Sequence, residues 1–474
     1  MPSTPPDLLP ETIRALRHRL ATTQVSARAP SLVAAIVRGG RPVWLEGWGS
    51  VDSSTPGGEV QYRIGSITKT FVTLLVLRLR DEGRLALTDP LDAHLPGTSV
   101  GDATIASLLS HTAGLAAEPP GPWWERSPGS LRPEVADVLR DDPLVHPPGR
   151  RFHYSNPGFA LLGALVAKLR GRPWTEALQS EVLDPLGMSR TGPQPSAPHA
   201  SGWAVHPWAD VLLPEPIQDY GPMGAAGELW STATDLARFA AFLLAGDERV
   251  LRAESLDEMR GPAAAPEVGS WQSNYGLGTQ LLHRGDRLLS GHTGSVPGFL
   301  ATVWVSRDDD LGAVVLANTT AGLAVGGFTA DLLDLVAERE PRIPAPWQPL
   351  PHIDRAVLEL AGPWYWGPAP FVLRPLADGW LELGPVSGGD RGSRLRPTGD
   401  GAWIGQNGYF AGEPLTLHHD DTGAVTHLDL GTFVFTRRPY DPAAVIPGGI
   451  TDPGWLTREG ADDRAASSTP PAAP

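Results

Sequence analysis

Hydrophobic positions along this chain change their spacing from segment to segment, and each spacing predicts a different element. Residues 12–21 put Ile13, Leu16 and Leu20 on one face of a surface helix. Residues 31–37 and 41–49 are apolar runs joined at Gly39-Gly40, a β-hairpin signal. Residues 60–64 lead into Ser66, and the run that follows is leucine-rich, with no glycine or proline before Gly83. Apolar all round, it predicts a buried helix that starts at Ser66.

From residue 85 to 216 the pattern breaks into short helices separated by prolines. The loop Glu118-Pro119-Pro120-Gly121-Pro122-Trp123-Trp124 is of a kind that walls a cleft. Residues 232–244 read as a helix capped by Thr232 and Asp235. Strand-like runs follow at 277–283, 287–292, 299–306 and 311–318, then a closing helix at 328–338. Strands at both ends of residues 1–340 predict an α+β domain. Its antiparallel sheet is completed by distant parts of the chain and flanked by helices, with 85–216 as a helical insertion. Residues 341–352 hold five prolines and read as a stiff linker. Residues 353–446 are strand-like, with turn signals at Asp378-Gly379 and Asp400-Gly401, and predict a small all-β, barrel-like domain. Residues 447–474 predict a disordered tail.

Composition narrows the class. A length of 474 residues suits two or three domains. The net charge of -15 argues against nucleic acid and anionic membrane surfaces as partners. With zero cysteines there is no disulfide, thiol nucleophile or cysteine-ligated metal. The first residues lack the apolar core of a signal peptide and no apolar stretch spans a bilayer, so the expectation is a soluble, cytoplasmic protein. The histidines are scattered, with no His-Glu-x-x-His pattern; no metal or cofactor is expected, and His418 and His419 read as strand or turn surface.

Lysine usage points to chemistry. The chain has only two lysines, Lys69 and Lys168, among 38 Lys and Arg residues. Lys69 follows Ser66 by one helical turn, so both side chains share a face. Arginine does not shed its proton in a protein, whereas a lysine pressed against apolar surroundings is able to act as a base near pH 7. A helix start also offers free N–H groups and the positive end of the dipole to an oxyanion. The structural alternative is an N-cap serine beside a solvated lysine, since Ser-x-x-Lys is short enough to arise by chance.

Two more stretches align with it: Arg151-Phe152-His153-Tyr154-Ser155-Asn156 before an apolar helix, and Ser290-Gly291-His292-Thr293-Gly294-Ser295 at the end of a strand. Ser-x-x-Lys, Tyr-x-Asn and a strand-borne His-Thr-Gly, in that order, resemble the serine β-lactamase and penicillin-binding superfamily. The nearest likeness is to its class C branch, with family VIII esterases, D-aminopeptidases, DD-carboxypeptidases and some acyltransferases. Residues 87–91 and 108–115 look like further stretches of that family. The resemblance implies a β-lactamase/transpeptidase-like fold.

The resemblance also implies roles. Ser66 would attack a small ester or amide and carry a covalent acyl-enzyme. Lys69 would lower the pKa of Tyr154, and the two would act as a base pair. Asn156 would bind Lys69 and substrate. Backbone N–H groups of Ser66 and Ser295 would form an oxyanion hole, which requires the strand carrying Gly294 to lie beside the helix start. His292 stands where lactamases usually have lysine; a neutral imidazole weakens carboxylate recognition and moves the expectation toward esterase and aminopeptidase members. Still open are a β-lactamase or D-amino acid peptidase of the same mechanism, an acyltransferase, and a catalytically inactive ligand-binding or sensor relative. Structural alternatives are a helix-start turn at Tyr154 and Asn156 and a core histidine at 292. His111 reads as loop-bracing, Trp123 and Trp124 as cleft or packed lid, and Glu228, Trp230 and Ser231 receive no chemistry. The C-terminal region looks like the lipocalin-like barrels appended to some family members, as a gate or a packing module. The implied partner is a small-molecule substrate, and oligomeric state has no sequence signal.

Overall fold

The strand Ser31–Arg38 sets the layout of the first unit. Its side chains alternate between two apolar clusters, Val33, Ala35 and Val37 on one side and Leu32, Ala34 and Ile36 on the other. A strand buried on both faces belongs in the middle of a covered sheet. In the computed structural model, which describes residues 8–264, 273–344, 346–389, 391–399 and 401–439, that is where it lies. The seven-stranded sheet runs in the order Arg41–Gly49, Ser31–Arg38, Leu311–Ala317, Phe299–Ser306, Arg287–Val296, Gln280–Arg284, Ser273–Tyr275. Every neighbouring pair is antiparallel, and the two ends of the unit meet in register, Ala34 opposite Val315. The helices Pro10–Ala27 and Val325–Arg339 cover one face. The helices Ile67–Asp81, Asn156–Arg170 and Ala233–Ala245 contribute to the core on the other.

The helix after Ser66 is buried as its composition requires: each residue from Ile67 to Leu77 is inaccessible. Phe71 stacks on Phe239 with ring centroids 4.2 Å apart. Burying such a side chain contributes about 1.5–3 kcal/mol, so the helix is anchored all round.

Several elements differ from expectation. The first helix runs on to Ala27 and stops where Arg28 turns left-handed at φ 52. At residue 232 the predicted cap is half formed. Thr232 Oγ1 accepts from the Asp235 backbone N–H at 3.0 Å. The Asp235 carboxylate instead accepts from Arg190 N at 2.8 Å and Thr191 Oγ1 at 2.9 Å. The segment read as an insertion of short helices and proline-rich loops also contains a hairpin, Trp203–Val205 with Leu212–Pro214. The predicted 287–292 strand continues to Val296. Among the described residues no helix is long and apolar enough to cross a membrane.

The second unit begins at Pro344. A short helix, Arg355–Leu360, precedes eight strands that follow one another around a closed antiparallel barrel from Gly362–Trp366 to Phe433–Thr436. Tyr365 opposite Thr436 closes the ring. Alternate residues such as Trp364, Leu373, Leu383, Leu428 and Phe435 fill the interior. The expected turn at Asp378-Gly379 is a short 3-10 turn, Ala377–Gly379. Asp400 of the second expected turn and the expected tail at 447–474 lie outside the described residues.

Candidate active site

Ser66 occupies the N-cap position of its helix at φ -64, ψ -8, yet its side chain makes no capping bond. Its hydroxyl is therefore free for other partners. Lys69, one turn along, is completely buried, and its Nζ has three partners: Ser66 Oγ at 3.1 Å, Asn156 Oδ1 at 2.7 Å and the Ala226 carbonyl at 2.6 Å. The last comes from the short helical turn Gly224–Gly227.

This triad of contacts constrains the amine. Two of the partners are carbonyl oxygens, which only accept. A neutral Nζ gives them its two hydrogens, and the position left for its lone pair faces Ser66 Oγ. A protonated Nζ donates to all three. Burial lowers the Lys69 pKa to about 7, against an opposing pull from the Glu118 and Glu125 charges.

Asn156 begins the helix Asn156–Arg170, whose N-cap is Ser155; the Ser155 hydroxyl accepts from Gly158 N at 3.2 Å. Asn156 Nδ2 donates to Glu118 Oε1 at 2.9 Å, and a carboxylate accepts only, so the amide has one orientation with Oδ1 toward Lys69. Glu118 in turn accepts from Trp124 Nε1 at 2.7 Å. Trp124 is buried, while Trp123 is exposed and donates to Glu125.

Tyr154 reaches the same point from the residues just before that helix. Its pKa is raised, chiefly by burial, while a hydrogen bond with the Ser66 hydroxyl pulls it down and the Glu118 and Glu125 charges push it further up. The expectation that Lys69 lowers the phenol's pKa is thereby corrected. Burial of the phenol is the dominant cause, and the amine sits over the Tyr154 ring, 4.9 Å from the centroid.

The strand Arg287–Val296 lies beside the helix start at backbone distance. A Cβ at Gly294 would stand 1.9 Å from the Ile64 carbonyl and 3.2 Å from Ser66 N. One at Gly65, itself at φ +50, would stand 2.8 Å from Ser295 N. Two glycines thus bring the Ser66 and Ser295 backbones together.

His292 is buried, and both its nitrogens are committed. Nδ1 donates to the Thr293 carbonyl at 2.5 Å, so Nε2 accepts from the Tyr275 hydroxyl at 2.9 Å. Burial, with the Lys69 charge, lowers its pKa to about 3. His111 is also buried; its Nδ1 accepts from Ser155 N at 3.1 Å and its ring lies 4.2 Å from that of Tyr154. It props the Tyr154 segment, in keeping with the loop-bracing reading. A cavity of about 250 Å³ opens alongside, lined in part by Phe152, Tyr275, Gln280 and Trp304. Gln280 Oε1 accepts from both Thr293 N and Thr293 Oγ1 at 3.0 Å.

Ser66, Lys69, Tyr154, Asn156, His292, Gly294 and Ser295 thus gather around one helix end. Sequence reasoning passed over Glu118 as a binding partner, the Ala226 carbonyl and Tyr275. Glu118 stood inside a noted loop without a role, and a backbone carbonyl leaves no side-chain signal.

A family model described as Beta-lactamase matches residues 12–338, and a domain of unknown function (DUF7586) matches 353–437. "Beta-lactamase-like protein 2" of Dictyostelium discoideum is 29% identical over 250 residues, 49% of this chain and 45% of that protein, so the match spans less than half of the relative. "Penicillin-binding protein 4" of Amycolatopsis lactamdurans is 31% identical over 311 residues, 60% of this chain and 80% of that protein. Among solved structures, a D-stereospecific amidohydrolase from Streptomyces sp. superposes with TM-score 0.57 at 26% identity, covering 70% of this chain and 99% of that one.

Proposed function

This chain belongs to the Beta-lactamase family, a family of serine hydrolases, and from that premise we propose that it cleaves small esters or amides through a covalent acyl-enzyme on Ser66. The observation that carries the reading is the set of partners around Lys69 Nζ, two carbonyls and one hydroxyl. In its neutral form the amine takes the Ser66 proton as Oγ bonds to the substrate carbonyl carbon. The carbonyl electron pair moves onto oxygen, which the Ser66 and Ser295 N–H groups stabilise. On collapse, the bond to the leaving group breaks; Tyr154, held as a phenol, protonates the departing atom and is made good by the proton on Lys69. Water then attacks the acyl carbon, giving its proton to the same pair, and Ser66 recovers its hydrogen as the acid departs.

The substrate class follows from charge. His292 is neutral and has no free donor, and Glu118 and Glu125 act electrostatically on the site, so neutral or amine-bearing acyl groups are favoured over carboxylates. Similarity to a D-stereospecific amidohydrolase supports D-amino acid amides as candidates.

The test is turnover of p-nitrophenyl butyrate, a D-amino acid p-nitroanilide and a chromogenic cephalosporin by wild type and Ser66→Ala. Turnover of the first or second, lost in the variant together with an acyl adduct on the Ser66 peptide, supports the reading. Undiminished turnover in Ser66→Ala, or none in wild type, overturns it.

A further inference from the structure

The outer face of the barrel carries a cluster of side chains that the serine site does not use. His418, on the strand Pro414–His419, stands directly opposite His427 on Val425–Leu430, and Asp429 follows two residues later on the second strand. Leu415, Leu428 and Leu430 fill the barrel core. Alternation along the strands therefore turns His418, His427 and Asp429 to the opposite face, together. In sequence His418 adjoins His419; in space its partner is His427.

The three side chains lie close enough together to reach one ion once a ring turns out of its stack. The imidazoles of His418 and His427 lie face to face, centroids 4.2 Å apart and planes 5° from parallel. One donor atom from each of the three residues lies within 4.8 Å of the others. His418 Nε2 is 2.7 Å from Asp429 Oδ2, while Asp429 Oδ1 is buried without a partner. The tautomer of His427 follows from its neighbour. Thr426 Oγ1 donates to the His418 carbonyl at 3.1 Å, so toward His427 Nδ1, 2.9 Å away, it accepts. His427 therefore carries its hydrogen on Nδ1 and a bare lone pair on Nε2. An imidazole whose far nitrogen is tied down by a hydrogen bond is the usual state of a metal ligand.

We propose that His418, His427 and Asp429 bind a divalent transition metal, Zn²⁺ or Ni²⁺, with water completing the coordination. Two imidazoles and a carboxylate suit such ions. A tetrahedral zinc site with bonds of about 2.0–2.2 Å places its donors roughly 3.3 Å apart. The His418 and Asp429 side chains, 40% and 31% exposed, have room to close by the remaining distance. On binding, the His418 hydrogen moves from Nε2 to Nδ1, and Nε2 exchanges its hydrogen bond to Asp429 for the metal. A surface His–Asp pair alone would account for His418 and Asp429, and would leave the oriented lone pair of His427 without a use.

The experiment is calorimetric titration of the tag-free, EDTA-treated full chain with ZnCl₂ and NiCl₂, beside a thermal melt. One saturable equivalent is expected, with affinity lowered at least ~10-fold in His427→Ala and in Asp429→Asn. Both variants should melt as the metal-free wild type does and hydrolyse ester at its rate. The absence of a saturable equivalent, or unchanged affinity in the double variant His427→Ala/Asp429→Asn, overturns the site.

Discussion

Asn156 gives its Nδ2 hydrogen to Glu118 Oε1 at 2.9 Å, and this contact decides which end of the amide meets Lys69. Glu118 also acts through its charge, which raises the Lys69 pKa against the effect of burial. Glu118→Gln removes the charge, so the buried lysine sheds its proton at lower pH. The acid limb of kcat/KM should move to lower pH than in wild type, as measured by a full pH profile.

In wild type that limb should rise through about pH 7, because the neutral form of Lys69 is the one whose lone pair faces Ser66. Lys69→Arg puts a group there that stays protonated. Turnover should fall by roughly 10³-fold, the order of a general base's contribution, and the limb near neutrality should vanish.

Gly294 leaves its strand no spare space beside the start of the Ser66 helix. In Gly294→Ala the new methyl would need the position 1.9 Å from the Ile64 carbonyl, so strand and helix start must separate. A loss of about 10²-fold or more in kcat is expected, with KM much less affected, read by steady-state kinetics.

His292 offers a substrate no cation: its pKa lies at about 3 and its two nitrogens serve Thr293 and Tyr275. Carboxylate-bearing substrates should therefore be poor ones. For wild type, kcat/KM on a cephalosporin should fall below that on a neutral ester by roughly 10- to 150-fold, since a missing charged hydrogen bond costs about 1.5–3 kcal/mol.

Where an element was long or strongly patterned, sequence alone located it. The run after Ser66 had enough consecutive apolar residues to read as buried, and Gly39-Gly40 marked its hairpin. Elements of three residues, such as Ser273–Tyr275 and Trp203–Val205, are too short to display any period. The same limit hid part of the site. Ser66, Lys69 and Tyr154 stood out through spacing and through the rarity of lysine, but Tyr275 arrives on one of those short strands and Ala226 contributes only its backbone. The direction of the Tyr154 shift was beyond reach as well, because it depends on how thoroughly the fold excludes water from the phenol. His418 and His427 meet only because their strands pair in one register.

The seclusion of Lys69 changes how the chain answers to labelling reagents. Of its two lysine side chains, one is sealed inside the domain and the other, Lys168, is exposed near the end of the helix Asn156–Arg170. Electrophiles that acylate surface amines, whether dyes, biotin esters or activated resins, find a single lysine to modify. The protein can thus be tethered or tagged at Lys168 while its buried amine stays untouched.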